Sequence, residues 1–468
     1  MEQIPEKVIA LAKEVRGAGG RALLVGGCVR DELMNVEPSD WDLEIYGVEP
    51  SLVREILDRF GPVNVVGESF TVYKLGTDLD VSLPRRERKV GRGHKGFVVE
   101  GDPDMSVADA ARRRDFTINA ILMDPITNEI IDPFDGNDDI RRRLLRAVSA
   151  DTFPEDSLRV LRAAQFASRF QFAIDEDTVE LCRGIDLSDL PAERIWGEIE
   201  KLLLRSSQPS IGLKWLLELR VIEKLFPEIA RLVGVPQDPV WHPEGDVFVH
   251  TLLVVDIARQ QIDDLPYAKQ VTVMLAALAH DFGKPSTTKF QDGHWRSLGH
   301  AEAGMGATER FLDRLNIHTL EDYNVRQQVV ALVKDHLKPG EFFKKRDEVG
   351  EGAFRRLARR CEPELLYRVA RADSLGRNAE WVPRENWFDD AAQGWFIERA
   401  RELHVDSGPP APILLGRHLL EMGLTPGVRI GEITNAVYEM QLDGQVRSLE
   451  EARDAAKAIL DRDSRNQG

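Results

Sequence analysis

A change of texture near residue 155 constrains this chain more than any other feature. Beyond it, apolar residues recur at helical spacing with few breaks. The runs are Glu155–Phe170, Asp175–Cys182, Pro191–Leu204, Pro209–Glu218, Val249–Ile262, Gln270–His280, Ala301–Leu315, Tyr323–His336, Gly352–Arg360 and Pro363–Asp373. Before it, short strand-like runs at Arg21–Val25, Asp42–Tyr46, Val63–Val66, Thr71–Leu75 and Leu79–Leu83 alternate with helical patterns at Pro5–Arg16 and Pro50–Phe60. Strands confined to the first third predict an α+β chain, with one small mixed sheet and its helices followed by an all-α body.

Two proline- and glycine-rich stretches punctuate the helical part. Gly234–Gly245 holds three prolines, and Ser407–Pro412 reads Ser-Gly-Pro-Pro-Ala-Pro; both are expected as breaks. The expected divisions are 1–150, 151–235, 236–380 and a helical tail at 381–468. The chain has 468 residues, 62 Lys+Arg and 79 Asp+Glu, for a net charge of −17. That balance argues against a generic nucleic-acid coat or an anionic-membrane binder, yet permits a local basic groove. The three cysteines lie far apart, which excludes a disulfide scaffold, a CxxC zinc site and a disulfide-linked partner, and fits a reducing compartment. No apolar run is long enough to span a bilayer, and the start lacks a signal pattern, so a cytoplasmic location is expected.

The first chemical constellation begins with Gly26-Gly27-Cys28-Val29-Arg30-Asp31, after a strand and opening a helix. Glycines there let backbone N–H groups approach a phosphate, and Arg30 can grip its oxygens. A plain tight turn with a surface arginine fits the same residues. Asp40-Trp41-Asp42 follows. Residues i and i+2 of a strand share a face, so the two carboxylates repel unless a cation lies between them. Phosphoryl transfer with Mg²⁺ wants that arrangement. Asp80, on a later strand, is a possible third carboxylate. Next come Arg112-Arg113-Arg114-Asp115-Phe116-Thr117-Ile118-Asn119, where three consecutive arginines suit a polyanion and Asp115 and Asn119 suit sugar hydroxyls. Finally, Glu155-Asp156-Ser157-Leu158-Arg159-Val160-Leu161-Arg162 opens a long helix. Asp156 and Arg159 are spaced to share a face and form an edge for a base, or a simple ion pair; Arg162 shares a face with Arg159.

These motifs, with Pro191-Ala-Glu-Arg-Ile-Trp-Gly-Glu, resemble in order and spacing the bacterial-type (class II) tRNA nucleotidyltransferase and poly(A) polymerase family. The resemblance implies a polymerase-β-like head followed by a helical neck. It implies that Asp40 and Asp42 bind catalytic Mg²⁺, that Gly26, Gly27 and Arg30 hold the triphosphate, and that Asp115 meets the ribose. Arg113 or Arg114 would touch the nucleotide, with Asn119 close by. Asp156 and Arg159, with Arg162 near them, would read CTP and ATP in place of a template. The segment Arg85–Ala111 stands where the family carries a flexible loop needed for the final A, and the poly(A) polymerase signature Gly-Arg-Arg-Phe is absent.

The second constellation is His250, then His280-Asp281 ending an apolar run, then His300, His336 and Asp373. Imidazoles and carboxylates together suit a divalent transition metal or Mg²⁺, and a metal-activated water hydrolyses phosphate esters. The stretch resembles the HD phosphohydrolase superfamily. Its H…HD…D pattern falls on His250, His280, Asp281 and Asp373, with His300 and His336 at positions that complete a second metal in some members. Mg²⁺, Mn²⁺, Ni²⁺ or Co²⁺ is the expected ion.

Together the resemblances imply addition of C, C and A to tRNA 3′ ends from CTP and ATP, with HD phosphohydrolase activity on phosphorylated or 2′,3′-cyclic ends. An enzyme that adds only A beside a separate CC-adding partner is the rival within the class. A regulatory protein-nucleotidylylating enzyme is the rival of another class, and no membrane partner is expected. Arg85–Lys95, Arg141–Arg146 and Lys344-Lys345-Arg346 are basic runs suited to RNA, Arg141–Arg146 above all, whereas Arg355–Arg360 reads as a solvated helix face.

Overall fold

In the computed structural model, residues 4–38, 40–66, 72–89 and 97–466 are described. The chain divides into two compact units, Met1–Pro227 and Glu228–Gly468.

The first unit is built on the expected mixed sheet. Its strands are β1 (Arg21–Val25), β2 (Trp41–Tyr46), β3 (Val63–Val66), β4 (Val72–Leu75) and β5 (Leu79–Ser82). Further short strands include β6 (Arg85–Lys89), β7 (Phe97–Gly101), β8 (Leu122–Met123) and β9 (Ile130–Ile131). Seven strands form the sheet, in the order β3-β4-β5-β2-β1-β8-β9. β2 is antiparallel to β1 and parallel to β5. Leu43 and Ile45 of β2 point into a core with Leu24, Val53, Leu57 and Val81. Period-two alternation therefore leaves Asp42 and Glu44 on the opposite face.

One expectation is corrected here. The segment Arg85–Ala111 is not a continuous loop: β6 and β7 pair antiparallel over five residues each, and a helix follows at Val107–Arg112. Ser106 caps that helix by accepting from the Asp109 N–H. The part of the expected loop and basic run at residues 90–96 lies outside the described residues, as does Thr71 of an expected strand.

The neck helices form as their spacing predicts, within a few residues at their ends: Leu158–Phe170, Glu176–Gly184, Ala192–Arg205 and Pro209–Glu218. The helix Leu158–Phe170 packs on Ala192–Arg205 and Pro209–Glu218. Phe116, from the arginine motif, makes edge contacts with Phe153 and Phe166 at 5.6 and 5.8 Å. Those contacts join the neck to the sheet.

The second unit is helical, as expected. Its central helix, Tyr267–Ala279, is buried from Val271 through Ala279, and an apolar surface all round marks a helix enclosed by others. It packs against Val247–Arg259, Val325–Asp335 and Pro363–Leu375. An antiparallel hairpin, Lys289–Gln291 with His294–Arg296, interrupts the helices. A separate small core of Leu414, Leu419, Ile433, Val437, Ala452 and Ala456 holds the tail together. Among the described residues, no helix is long and apolar enough to cross a membrane, and the three cysteines are buried and free.

Candidate functional site

The first site lies on the polar face of β2. In the β2–β5 register Asp42 stands directly beside Asp80. Parallel neighbours in register present their side chains to the same face, so the sheet itself pairs these carboxylates. Asp80 is ion-paired with Lys74 at 2.8 Å, and Asp40 immediately precedes β2. Gly26 turns with φ at 74°, and a Cβ there would lie 2.9 Å from Arg114 Nη1 and 3.9 Å from Asp42 Oδ2. The Gly-Gly turn, Arg114 and Asp42 thus meet at one point. Burial raises the Asp42 carboxyl above its ordinary value; Arg114 opposes the rise, while the charges of Asp80 and Asp40 add to it. A carboxylate pushed up by burial, with like charges adding to the rise, suits a divalent cation.

A polar network runs from this turn to the neck. Arg30 donates to Asp31 at 2.6 Å and to Asn119 Oδ1 at 2.6 Å, and its guanidinium stacks over Phe170 at 4.6 Å. Asn119 Nδ2 donates to Asp115 at 2.9 Å. Asp115 also accepts from the Phe116 N–H at 2.8 Å and from Arg162 at 2.7 Å. Arg162 faces Glu198 at 3.9 Å, and Glu198 accepts from Lys201 at 2.8 Å. Burial alone would raise the Asp115 carboxyl, but Arg162, Asn119 and the Phe116 N–H together hold it below its ordinary value.

Two sequence expectations change, and one member of an alternative pair is favoured. Arg30 does not project freely toward a triphosphate: it is 4% exposed and bonded to Asp31 and Asn119. Asp156 does not pair with Arg159. Asp156 sits before the helix with extended backbone, and its Oδ2 accepts from Arg194 at 2.8 Å. Arg159 instead donates to the carbonyls of Thr152 and Arg113 at 2.7 and 2.6 Å. Helical spacing fails there because Asp156 is not yet in the helix. Arg113 donates to the Arg85 carbonyl, which leaves Arg114 as the arginine at the Gly-Gly turn.

The second site gathers every expected histidine and aspartate of its pattern. His280 and Asp281 follow the helix Tyr267–Ala279, and His250 lies in Val247–Arg259. His300 starts the helix His300–Arg314, His336 follows Val325–Asp335, and Asp373 lies in Pro363–Leu375. His250 Nε2 is 3.1 Å from Asp373, and His280 Nε2 is 3.2 Å from Asp281. His300 Nε2 is 3.4 Å from Asp281 and 3.3 Å from His336 Nε2. Gly283 permits the approach of His300, since a Cβ there would fall 2.0 Å from the His300 carbonyl. Lys284 Nζ reaches Asp281 at 2.7 Å and Gln237 at 2.7 Å. A cleft of about 440 Å³ opens on Asp281, Lys284, His300, His336 and Asp373 and is lined also by Lys344 and Arg377.

Donor atoms of His250, His280 and Asp281 lie within 4.8 Å of one another, as do those of Asp281, His300 and His336. The buried His280 Nε2 has no aligned hydrogen-bond partner, and the Asp281 oxygens face the Lys284 ammonium and the rings of His280 and His300. Lone pairs facing one another in a dry pocket fit a bound cation. Burial would raise Asp281, but His280 and Lys284 hold it well below the ordinary carboxylate range. Burial among other imidazoles pushes His336 down to about 4, so it is neutral and able to ligate.

Two residues here were not expected. His242 and Glu244 belong to the stretch Gly234–Gly245, read from sequence as a break. Glu244 is buried, 2.9 Å from His242 Nδ1 and 2.7 Å from His250 Nδ1. Burial would raise its carboxyl, yet the two imidazoles bring it down to about 2. Asp246 caps the helix Val247–Arg259 by accepting from the Val249 N–H at 2.8 Å, which fixes Glu244 beside the helix start. A His-x-Glu spacing ahead of an Asp cap was the available signal.

Of the basic runs, Arg355, Arg356, Arg359 and Arg360 are each tied to internal carboxylates, as a structural helix face should be. Arg146 is likewise committed to Asp139 at 2.8 Å, whereas Arg141 and Arg142 are exposed.

Comparison with known proteins assigns three family matches: Poly A polymerase head domain at residues 22–146, Probable RNA and SrmB-binding site of polymerase A at 171–232, and HD domain at 247–378. A Multifunctional CCA protein of Stenotrophomonas maltophilia is 36% identical over 372 residues, covering 76% of this chain and 86% of that one. One from Pasteurella multocida is 37% identical over 366 residues, covering 76% and 83%. The crystal structure of the Bacillus stearothermophilus CCA-adding enzyme in complex with CTP matches with a TM-score of 0.63 at 20% identity, covering 98% of each chain, and shares the fold.

Proposed function

Since this chain belongs to the multifunctional CCA proteins of the tRNA nucleotidyltransferase and poly(A) polymerase family, we propose that it adds C, C and A in turn to tRNA 3′ ends from CTP and ATP. The observation that carries the reading is the meeting of the Gly26 turn, Arg114 and the in-register pair Asp42 and Asp80 on one face of the sheet.

In the reaction the terminal 3′-hydroxyl attacks the α-phosphate of the incoming nucleotide, and pyrophosphate leaves. The turn at Gly26-Gly27 offers backbone N–H groups to the triphosphate, and Arg114 sits beside it to balance its charge. Asp40 and Asp42 would hold Mg²⁺, with Asp80 beside them; the ion, when bound, lowers the hydroxyl's pKa and offsets charge on the phosphates. Asp115 and Asn119 line the ribose side, and Arg30 and Arg162 hold them in place. Asp156, steadied by Arg194, and Arg159 present the edge that selects the base. A base that leaves this half-buried edge unpaired is rejected at a cost of about 1 kcal/mol.

In this reading, residues 1–150 carry the transfer, 151–235 select the base and bind RNA, 236–380 form the HD region, and 381–468 are the tail. The HD region hydrolyses phosphorylated or 2′,3′-cyclic ends with Mg²⁺, Mn²⁺, Ni²⁺ or Co²⁺ held by His250, His280, Asp281 and Asp373, and by His300 and His336 for a second ion. The protein works in the cytoplasm, where its tRNA and nucleotides are found.

The test is incorporation of labelled CTP and ATP into tRNA lacking CCA and into tRNA ending in CC. Two C and one A added to the shorter tRNA, abolished by Asp42→Ala, is the expected result. Incorporation of A alone, into the CC-ended tRNA alone, would make the protein the second half of a split system. No incorporation into either would overturn the reading.

A further inference from the structure

The four imidazoles converging on the second site are not held alike. His280, His300 and His336 each have Nδ1 against a main-chain carbonyl three residues back: Ala277 at 2.7 Å, Ser297 at 2.7 Å and Val333 at 2.6 Å. His280 and His336 follow the last turns of their helices, where the final carbonyls lack intrahelical partners and are free to accept. An imidazole whose Nδ1–H is spent on a carbonyl presents the lone pair of Nε2. The backbone alone thus sets three Nε2 atoms toward the site.

His250 has no such carbonyl. It lies within the opening turns of the helix Val247–Arg259, where the carbonyls ahead are engaged in the helical ladder. Its Nδ1 meets Glu244 Oε1 at 2.7 Å, and its Nε2 meets Asp373 Oδ1 at 3.1 Å. A ring that ligates an ion through Nε2, beside Asp373, carries its proton on Nδ1, and Glu244 Oε1 is the carboxylate 2.7 Å from that nitrogen. With Nε2 in that role, Asp373 Oδ1 beside it is an acceptor left for the same ion. Glu244 is itself fixed: its side chain is fully buried, the His242 ring holds the same Oε1 at 2.9 Å, and Trp381 donates to its carbonyl at 3.2 Å.

We propose that Glu244 is a positioning residue for the divalent ion, the carboxylate that fixes the tautomer of His250 and so completes the ligand set that the backbone fixes elsewhere. The proposal rests on the reading of this site as a metal centre. A carboxylate behind a ligating imidazole raises its basicity, and losing such a partner typically weakens metal binding about 10–100-fold.

The experiment measures Mn²⁺ binding by calorimetry on the full chain carrying Asp40→Ala and Asp42→Ala, so that only the second site is counted. Glu244→Ala, Glu244→Gln and His280→Ala are compared in that background. A loss of about 10–100-fold for Glu244→Ala, with the isosteric Glu244→Gln intermediate, is expected. Unchanged affinity in both Glu244 variants, with binding lost in His280→Ala, would overturn the proposal while leaving the metal reading intact. Unchanged affinity in His280→Ala would overturn the metal reading and the proposal with it. A second readout is the set of imidazole ¹⁵N shifts of the Mg²⁺-loaded protein, in which His250 should carry its proton on Nδ1; a proton found on Nε2 there would sink the idea.

Discussion

The carboxylate of Asp156 is held by Arg194, 2.8 Å away in the helix Ala192–Arg205, while Arg159, three residues downstream, is held by two main-chain carbonyls. Each half of the base-reading edge is thus oriented by a separate partner.

It follows that Arg194 governs fidelity. Arg194→Met removes the hydrogen-bonded cation of Asp156 and leaves its carboxylate the Leu158 N–H at 3.1 Å. Single-turnover incorporation should show kcat/KM for CTP reduced about 10–100-fold, with a relative gain in UTP and GTP misincorporation. Unaltered discrimination would count against the assigned edge.

Burial of the Arg30–Asn119–Asp115–Arg162 network makes its members costly to remove singly. Arg162→Met strands Asp115 and Glu198 without their shared cation, and urea unfolding should register a loss of about 3 kcal/mol. The double variant with Asp115→Asn should lose less than the sum of the two single changes.

Acid should expose the same partners. Asp115 is held below its ordinary value in the fold, so its stabilisation is complete above the unfolded pKa of about 3.9 and is lost as pH falls through the folded value. The stability gap between wild type and Asp115→Asn should therefore be flat between about pH 5 and about pH 7 and narrow below about pH 4.

Asp42 carries the opposite sign. Its carboxyl is raised in the fold, so ionisation at neutral pH works against stability when no cation is bound. With chelator present, Asp42→Asn should melt about 2 °C higher than wild type while losing nucleotide incorporation. A lower melting temperature would contradict the electrostatic account.

Arg141 and Arg142 are exposed beside the catalytic head, each offset only by Asp138. Replacing both with Glu should weaken tRNA binding and flatten its dependence on salt by about two phosphate contacts. The control, Arg355→Glu with Arg356→Glu, should leave that slope unchanged, because those side chains serve the fold.

Much of the second site was legible because its residues sit at helix ends, and helix ends can be read from apolar spacing. His280-Asp281 closes the run Val271–Ala279, and His336 closes the helix Val325–Asp335. Asp42 was legible because alternation with Leu43 and Ile45 fixes its face. What escaped depends on pairings across long separations. Arg30 is turned inward by Asn119, Asp156 by Arg194, and neither partner is marked by spacing. Glu244 was hidden in a stretch whose prolines and glycines resemble a connector. The hairpin Lys289–Arg296 was missed despite Asp292-Gly293, a pair whose positive φ angles suit a tight hairpin turn.

The juxtaposition of Asp42 with Asp80 is a matter of strand alignment and of nothing else. Sliding β5 by one residue against β2 would keep a seven-stranded sheet and most of its hydrogen bonds, yet it would turn Asp80 to the core and bring Val81 to the polar face. A chain trapped in that alignment would be compact and silent. Turnover per mole of folded protein therefore doubles as a proofreading assay for β-sheet assembly, and it identifies β2 and β5 as the strands in which a one-residue deletion is least forgiven.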